Sequence, residues 1–177
     1  EHRYQLRGLA VPTTPNPHLV DTNFLGQMAT VYPQDVFPSL WTELETSLFS
    51  PEIYFHAEVH NEMKKWAHPT LNWYLKFLQS SQVLSPDDDE LLAYGAVSDW
   101  VVNKRKPVYT DAAIDGFLDT ADHWIVASAQ RHGATLVTNE VPAPDGKKKV
   151  KIPDAAAAFN VPCINTLEFL RELQVRV

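Results

Sequence analysis

The sequence predicts a three-layer α/β/α fold with a mainly parallel central sheet. Four short apolar runs are typical of strands buried on both faces; they cover residues 18–20, 53–55, 135–138 and 163–164. Between these runs lie longer segments with apolar residues at three- and four-residue spacing, which is the pattern of amphipathic helices. Strands that alternate with helices favour parallel pairing, because each crossover helix returns the chain to the same end of the sheet.

Size and composition fit one compact domain. A chain of 177 residues is long enough to bury about 70% of its unfolded surface. Apolar residues make up 45% and charged residues 21%, the usual proportions of a globular protein. Residues 1–17 are rich in proline and show little periodicity, so we expect an irregular arm there and a domain over residues 18–177. No apolar run approaches the about 20 residues of a membrane-spanning helix, which argues against a membrane role.

The first half of the chain carries three predicted helices. Over residues 35–49 the apolar side chains fall on one helical stripe: Phe37, Leu40, Trp41, Leu44 and Leu48. A second helix is expected over residues 57–66, directly after the second strand. A third is expected to begin at Thr70, whose hydroxyl can cap a helix after the preceding proline.

Capping signals mark the helices of the second half. Ser85-Pro86-Asp87-Asp88 combines a cap, a proline at the first helical position and acids in the first turn, which predicts a helix to about residue 103. Another helix is expected from residue 119 or 120 to Gly133, a residue typical of a left-handed C-terminal cap. Residues 141–149 contain two prolines and are expected to form a loop. Two short helices complete the expected order, over residues 155–159 and 167–173.

Four acidic residues lie either just after a predicted strand or within a predicted helix. Asp21 directly follows the first strand, and Glu140 comes two residues after the strand that ends at Thr138. Asp122 lies in the first turn of a helix and Glu62 in the middle of one. Ligands of open parallel sheets gather at the carboxyl ends of the strands, and clustered carboxylates are the ligands that Mg²⁺ and Mn²⁺ prefer. The pattern therefore predicts a site for a hard cation.

Two of these acids have ordinary structural explanations that remain open at this point. Asp21 could form an Asx-turn or a helix cap, assisted by Thr22 and Asn23. Glu62 could be a solvated helical residue, and Glu58, four residues earlier, shares its helix face.

The remaining acids carry similar alternatives. Asp122 and Asp119 lie three residues apart, and carboxylates are favoured in any first helical turn by the helix dipole. Asp154 follows an apolar segment and could equally begin a helix. Burying several carboxylates together is costly unless a cation compensates, so the joint pattern favours the cation site.

The charge balance bears on the substrate. A net charge of −7 argues against a broad phosphate-binding surface, because non-specific affinity for nucleic acids comes mainly from lysine and arginine. This objection weakens if the acids are concentrated around bound cations. Lys147, Lys148, Lys149 and Lys151 form a basic segment that could position phosphates, although a solvated loop explains them equally well.

Several other kinds of site are disfavoured. The lone Cys163 excludes an internal disulfide framework and fits a reducing cytoplasm. The seven histidines are scattered apart from His56 and His60, and this one His-x-x-x-His pair falls short of the three or four ligands that a zinc site needs, which argues against such a site. The chain has no glycine-rich phosphate loop and no Gly-x-Ser-x-Gly turn, which argues against nucleotide-binding kinases, dehydrogenases and serine hydrolases.

Taken in order, four segments of the chain resemble the PIN domain family. They are Leu19-Val20-Asp21-Thr22-Asn23, Asn61-Glu62-Met63, the run from Ala121-Asp122 to Ala127, and Val137-Thr138-Asn139-Glu140. The resemblance covers roughly residues 18–175. Residues 32–38 and 149–154 are similar to a little-characterised bacterial PIN-like branch.

The resemblance implies a set of site residues. Asp21, Glu62 and Asp122 match the first three family acids, and Glu140 stands where many members have Asp in a Thr-x-Asp motif. Thr22 matches the Ser or Thr that the family carries near its first acid. Asp154 lies outside the general pattern but recurs in the similar branch.

The expected function is that of the family, whose VapC-type members are toxins of bacterial toxin–antitoxin pairs. The resemblance implies an Mg²⁺- or Mn²⁺-dependent endoribonuclease in the cytoplasm, with one ion or two, an RNA substrate and an antitoxin protein as partner. A homodimer is also compatible with it, and apolar surface between Asp35 and Asn103 is the expected docking region. The alternatives are a DNA nuclease or phosphatase on the same acids, and a catalytically weak PIN-like module that mainly binds a partner.

Overall fold

The computed structural model describes residues 16–176, so the arm expected over residues 1–17 lies almost wholly outside the described residues. Within them, five short strands form one parallel sheet: β1 (His18–Val20), β2 (Ile53–His56), β3 (Val83–Leu84), β4 (Thr135–Val137) and β5 (Cys163–Ile164). The strand order is β3-β2-β1-β4-β5. Every neighbouring pair is parallel, so the carboxyl ends of the strands share one edge.

Helices connect the strands. Their bounds are α1 (Asn23–Val31), α2 (Pro38–Ser47), α3 (Ala57–Met63), α4 (Pro69–Phe77), α5 (Asp88–Asp99), α6 (Asp111–Leu118), α7 (Ala121–His132), α8 (Ile152–Ala158) and α9 (Thr166–Glu172). A 3₁₀ turn covers Ser80–Gln82, and a π-helical turn, Trp100–Lys104, continues α5. The predicted α/β/α architecture with a parallel sheet is confirmed.

The helices cover the two faces of the sheet. His18 is paired with Ile53 in the β1–β2 register, and side chains alternate between faces along each strand. On one face, His18 packs on Phe169 of α9 and Phe55 packs on Tyr74 of α4. The other face carries α7, whose Trp124 stacks on His56 with ring centroids 5.5 Å apart. The hydrophobic core therefore lies on both sides of the sheet.

The connectivity reverses direction between β1 and β4, which are neighbours in the sheet. From β1 the chain builds outward through β2 and β3, then crosses to β4 and continues to β5. Connections leave such a switch point in opposite directions, and the crevice at the carboxyl ends of the two strands is the usual ligand site of open α/β sheets. Asp21 follows β1, and Thr138 and Glu140 follow β4.

Some helix boundaries differ from the predictions. The helix expected over residues 35–49 begins at Pro38, because a residue before proline is sterically disfavoured in the α region and Phe37 has φ −122° and ψ 55°. The helix expected to begin at Thr70 begins at Pro69 and is capped by His68, whose Nδ1 accepts the Thr70 N–H at 3.2 Å.

Other boundaries shift through backbone geometry. α3 ends at Met63 rather than at residue 66, and α8 begins at Ile152 rather than at residue 155, with Pro153 in its first turn. Asp87, not Ser85, caps α5, since its side chain accepts the Glu90 N–H. Three elements escaped prediction: α1, α6 and the two-residue β3. Gly133 ends α7 in the predicted left-handed conformation, with φ +63°.

Among the helices of residues 16–176, none is long and apolar enough to cross a membrane.

Candidate metal centre

Asp21 lies at the switch point itself. Its backbone N–H donates to Val137 O at 3.0 Å, which fixes the residue across the β1–β4 junction, and only 2% of it is exposed. Oδ2 accepts hydrogen bonds from Thr138 Oγ1 at 3.0 Å and from Asn23 Nδ2 at 3.4 Å. The other oxygen, Oδ1, is buried with no hydrogen-bond partner. Such a group costs free energy unless something compensates it.

Glu140 approaches the same place from β4. Thr138 Oγ1, which donates to Asp21, also accepts the Glu140 N–H at 3.2 Å. The carboxylate of Glu140 is 8% exposed; its Oε2 accepts the Ile152 N–H at 2.7 Å, and its Oε1 lies 2.6 Å from Lys149 Nζ. Glu140 is therefore held both by the start of α8 and by a lysine of the preceding loop.

Glu62 enters from α3. Its Oε2 accepts the Thr22 hydroxyl at 2.8 Å, and its Oε1 accepts the Ala121 N–H at 3.1 Å. The first bond joins α3 to the residue after Asp21. The second joins it to the first residue of α7, beside Asp122, where carboxylates are favoured by the helix N-terminus. Glu62 thus connects the two other elements that carry acids.

Asp122 completes the group, and its electrostatics shows how close the acids lie. The pKa of Asp122 is raised to about 7, first by burial and then by the negative charges of Asp21, Glu140 and Glu62, while Lys149 acts against this rise. The pKa of Asp21 is raised to about 6, mainly by burial and also by the charge of Glu140, while the hydrogen bond from Thr138 and the backbone N–H groups of Asn23 and Thr22 act against this rise. Like charges disfavour each other's ionised form in this way only at short range.

The structure therefore brings all four predicted acids together, and we call Asp21, Glu62, Asp122 and Glu140 the acid cluster. As they stand, no three of the Asp, Glu, His and Cys side chains in residues 16–176 are arranged as the ligands of one metal ion. The residues nevertheless fit a divalent cation. The unpaired Asp21 oxygen lacks a positive partner, and the donor set consists of oxygens alone, as Mg²⁺ and Mn²⁺ require.

The free oxygens fall mainly on two of the four acids. Both oxygens of Glu62 and both of Glu140 already accept protein hydrogen bonds. Asp21 keeps one unpaired oxygen, and within the described residues no donor bonds the carboxylate of Asp122. Asp21 and Asp122 are thus the acids with the most capacity for a further ligand.

The additional predicted acids lie elsewhere. Asp119 is exposed at the C-terminal end of α6. Both oxygens of Asp154 accept the Ala143 N–H, at 3.2 and 3.0 Å, so this carboxylate anchors the loop over residues 141–149. Thr22 and Asn23, by contrast, contact the acid cluster directly through Glu62 and Asp21.

The basic segment reaches the cluster through one residue. Lys149 pairs with Glu140, and this contact raises the pKa of the lysine. Lys147 and Lys148 are exposed, and the Lys147 carbonyl accepts the Thr110 N–H at 2.9 Å. Lys151 is the residue before α8.

Two pockets open at the acid cluster. One, of about 340 Å³, includes Glu62 and lies between the start of α1 and the end of α3. The other, of about 260 Å³, includes Asp122 and is lined by α6, Lys148 and Lys149. Each pocket therefore contains one acid of the cluster in its wall.

Sequence reasoning overlooked two parts of this site. Thr138 joins Asp21 to Glu140, and the Ala121 N–H fixes Glu62. A threonine at the end of a strand next to an acid was the available signal for the first. The contact between the Ala121 N–H and Glu62 depends on which helix N-terminus packs against α3, and no local sequence pattern predicts this packing.

Comparison with solved structures agrees with this fold. The structure of FitAB bound to an IR36 DNA fragment matches with a TM-score of 0.51 and 17% sequence identity, covering 84% of this chain and 94% of that one. VapBC2 from Rickettsia felis, bound to a DNA fragment from its promoter, matches with a TM-score of 0.50 and 17% identity, covering 84% and 97%. This likeness shows the fold, which is PIN-like as predicted.

No curated protein matches the chain. A family model described as "Domain of unknown function (DUF4411)" matches residues 18–177, a span that holds the whole sheet and the acid cluster. The chain, whose own fold is PIN-like, belongs to this family.

Proposed function

We propose that this chain is a metal-dependent endoribonuclease and the toxin of a bacterial toxin–antitoxin pair. One observation carries the proposal: a buried carboxylate with an unpaired oxygen, Asp21 Oδ1, lies in a cluster of four acids at the switch point of a parallel sheet. A fold gains nothing from such an arrangement unless a cation binds there. The cluster is therefore best explained as a site kept for function.

The existing hydrogen bonds of the four acids suggest a different role for each of them. Asp21 and Asp122 would hold Mg²⁺ or Mn²⁺, and Glu140 would join them when Lys149 moves away. Glu62, fixed by Thr22 and the Ala121 N–H, would orient a water molecule or hold a second ion. Thr138 keeps Asp21 in place through its hydroxyl. A bound divalent cation lowers the pKa of coordinated water and neutralises charge on a phosphodiester.

The substrate we propose is RNA. Lys148 and Lys149 line the Asp122 pocket, and Lys147 and Lys148 are exposed. Lys149 bonds Glu140, and Lys151 precedes Ile152, whose N–H bonds Glu140 as well. Lysines in this arrangement would contact backbone phosphates without reading the sequence. They give local positive charge to a chain whose net charge is −7.

An antitoxin protein is the proposed partner. FitAB and VapBC2, which share the fold, are bound to DNA in their solved structures, and the VapBC2 fragment comes from its promoter. In the expected docking region the described part of this chain exposes Leu75 of α4 and Leu91 and Leu92 of α5, the last at 74%. Leu91 and Leu92 are adjacent on α5, and contiguous exposed apolar surface marks contacts between proteins. The same surface would serve the homodimer alternative.

A second candidate function is a catalytically weak module that mainly binds a partner. The observation in its favour is that Glu140 is already paired with Lys149 and that no three ligands are preassembled in residues 16–176. The cytoplasmic location stays a proposal with either function.

The test is degradation of a labelled single-stranded RNA with Mn²⁺. We expect cleavage by the wild type, none with EDTA and none with Asp21→Asn. Glu62→Gln and Glu58→Gln form a matched pair on α3, and only the first should lose activity. Parallel reactions with single-stranded DNA and with an aryl phosphate test the nuclease and phosphatase alternatives. Mn²⁺ binding without cleavage of any RNA would favour the binding module.

A further inference from the structure

The pocket beside Glu62 has features that the proposed reaction does not yet use. It is lined by Thr22, Asn23 and Gly26 from the start of α1, and by Glu62, Lys65 and Trp66 from the end of α3 and the turn after it. Its volume of about 340 Å³ lies within the range of small-molecule sites, on the order of 300–1,000 Å³. We call it the Trp66 pocket.

Trp66 provides a flat aromatic wall. Its indole is half-buried and stacks on the His68 ring, with centroids 4.6 Å apart and planes within 9°. The backbone holds this pair in a tight turn, because the Trp66 N–H donates to Met63 O and the His68 N–H donates to Trp66 O, each at 3.0 Å. An indole supported in this way is a rigid surface on which another planar group can stack.

Gly26 leaves space at its part of the pocket wall. It lies inside α1, where glycine is less favourable than alanine by about 0.5–1 kcal/mol. A Cβ placed on it would meet no atom within 4 Å, so the position faces free space. A side chain at this position would therefore extend into free space at the pocket wall without displacing any neighbour.

Polar groups of the pocket wall touch the acid cluster directly. Thr22 donates to Glu62 and Asn23 donates to Asp21, so the pocket lies directly beside the acid cluster. Lys65 adds an exposed positive charge at the rim. A planar group in the pocket would thus lie next to a phosphate held at the acids.

We propose that the Trp66 pocket holds one unpaired nucleobase, stacked on Trp66, next to the phosphodiester at the acid cluster. The inference rests on the proposed nuclease function and narrows its substrate to single strands. Bases of a duplex are paired and stacked on each other, whereas unpaired bases of RNA can turn outward and stack on aromatic side chains. Stacking is tolerant of base identity because every base has a flat face.

The experiment measures binding in the absence of cleavage. A fluorescein-labelled ten-nucleotide adenosine RNA is titrated with the full chain in Ca²⁺, a hard cation that carboxylates bind with a looser geometry than they bind Mg²⁺; anisotropy reports the dissociation constant, and gel electrophoresis checks that the RNA stays intact. Trp66→Leu should weaken binding about 5- to 150-fold, the loss expected for one base–aromatic stack. Trp66→Phe should retain most of the affinity. Duplex RNA of the same length should bind the wild type and Trp66→Leu equally.

A second variant keeps the test independent of any damage at Trp66. Gly26→Leu places a good helix former in α1 and reduces the open space at the pocket wall, so it should keep the fold and lose affinity for the single strand. Phe37→Leu is the matched control for Trp66→Leu, because Phe37 is an exposed aromatic residue that lines a different pocket. Circular dichroism melting checks that all variants fold.

The outcomes separate this proposal from the function on which it rests. If Trp66→Leu and Gly26→Leu bind the single strand as the wild type does, while the wild type cleaves RNA, the pocket proposal is overturned and the nuclease function stands. If the wild type neither binds nor cleaves any RNA, both proposals fail together. Mn²⁺ binding measured by calorimetry should be the same in Trp66→Leu and the wild type.

Discussion

Replacing Asp21 by asparagine should make the metal-free protein more stable and should abolish both its Mn²⁺ binding and its activity. Asn is close in shape to Asp and retains an acceptor for the Thr138 hydroxyl, which lies 3.0 Å from Oδ2. The substitution removes a negative charge that is 2% exposed and faces Asp122 and Glu140. It also replaces the unpaired oxygen Oδ1.

Two magnitudes indicate how much Asp21→Asn should raise the free energy of unfolding. Leaving a buried polar group unsatisfied costs about 1–3 kcal/mol, and more for a charged group. The rise of the Asp21 pKa from 3.8 to about 6 means that the fold disfavours the ionised form by about 3 kcal/mol. Both lead to an increase of about 1–3 kcal/mol in the free energy of unfolding at neutral pH. For a chain of this size that corresponds to a rise in melting temperature of roughly 2–12 °C.

The assay is thermal unfolding with EDTA and with excess Mn²⁺. In EDTA the Asp21→Asn variant should melt above the wild type. At an ion concentration of 100 times the dissociation constant, binding stabilises the wild type by about 2.7 kcal/mol, whereas the variant should not respond. Asp119→Asn is the matched control, since the same change at an exposed acid should alter stability by no more than about 0.5 kcal/mol.

A variant that melts below the wild type in EDTA would refute this reasoning, because the Asp21 carboxylate would then be stabilising without a metal. A variant that still gains stability from Mn²⁺ would show that the ion binds elsewhere.

Three further predictions concern other parts of the chain. Burial alone would raise the pKa of Glu90, but the nearby His132 ring and the hydrogen bond and charge of His56 lower it below its ordinary value of 4.5. The stabilising effect of Glu90 is therefore present above pH 4.5 and lost as the pH falls through the lowered value. The gap in melting temperature between the wild type and Glu90→Gln should accordingly narrow in acid. A gap that widens below pH 4.5 would contradict this sign. Gly133→Ala should lower the free energy of unfolding by about 1–2 kcal/mol in denaturant titrations. The reason is that residue 133 has φ +63°, and a left-handed backbone is costly for L-residues with a Cβ. An unchanged unfolding midpoint would mean that the helix cap rearranges. Lys149→Gln should tighten Mn²⁺ binding up to about fivefold, as measured by calorimetry. The substitution removes an ammonium group with 60% exposure from the Glu140 carboxylate, and an exposed ion pair of this kind is worth up to about 1 kcal/mol. Weaker binding by the variant would mean that the lysine assists the ion.

The sequence was sufficient to predict the parts of the fold that depend on local patterns. β1, β2 and β4 are short apolar runs buried in a parallel sheet, and each pattern ends where the structure ends the strand or within one residue of it. Gly133 was recognisable as a cap because few other residues adopt its conformation. The convergence of Asp21 and Glu140 followed from strand direction, since parallel strands place their carboxyl ends on one edge, whereas Glu62 and Asp122 reach that edge from α3 and α7.

What escaped prediction depends on tertiary contacts or on weak local signals. α1 follows Asp21 without a capping side chain and contains Gly26, and β3 has only two residues. Asp154 follows the same local pattern as a ligand acid, yet the fold uses it to hold Ala143. The stacking of Trp66 on His68 required the turn between α3 and α4, which was expected to be helical up to Trp66.

The central claim is that Asp21 and Asp122 lead the acid cluster in holding a divalent ion. A crystal of the protein soaked in Mn²⁺ and measured for anomalous scattering tests this most directly. We expect an anomalous peak within bonding distance of the Asp21 and Asp122 carboxylates, with Lys149 moved away from Glu140. A fully soaked crystal with no peak there, or with Mn²⁺ bound only at other acids, would contradict the account.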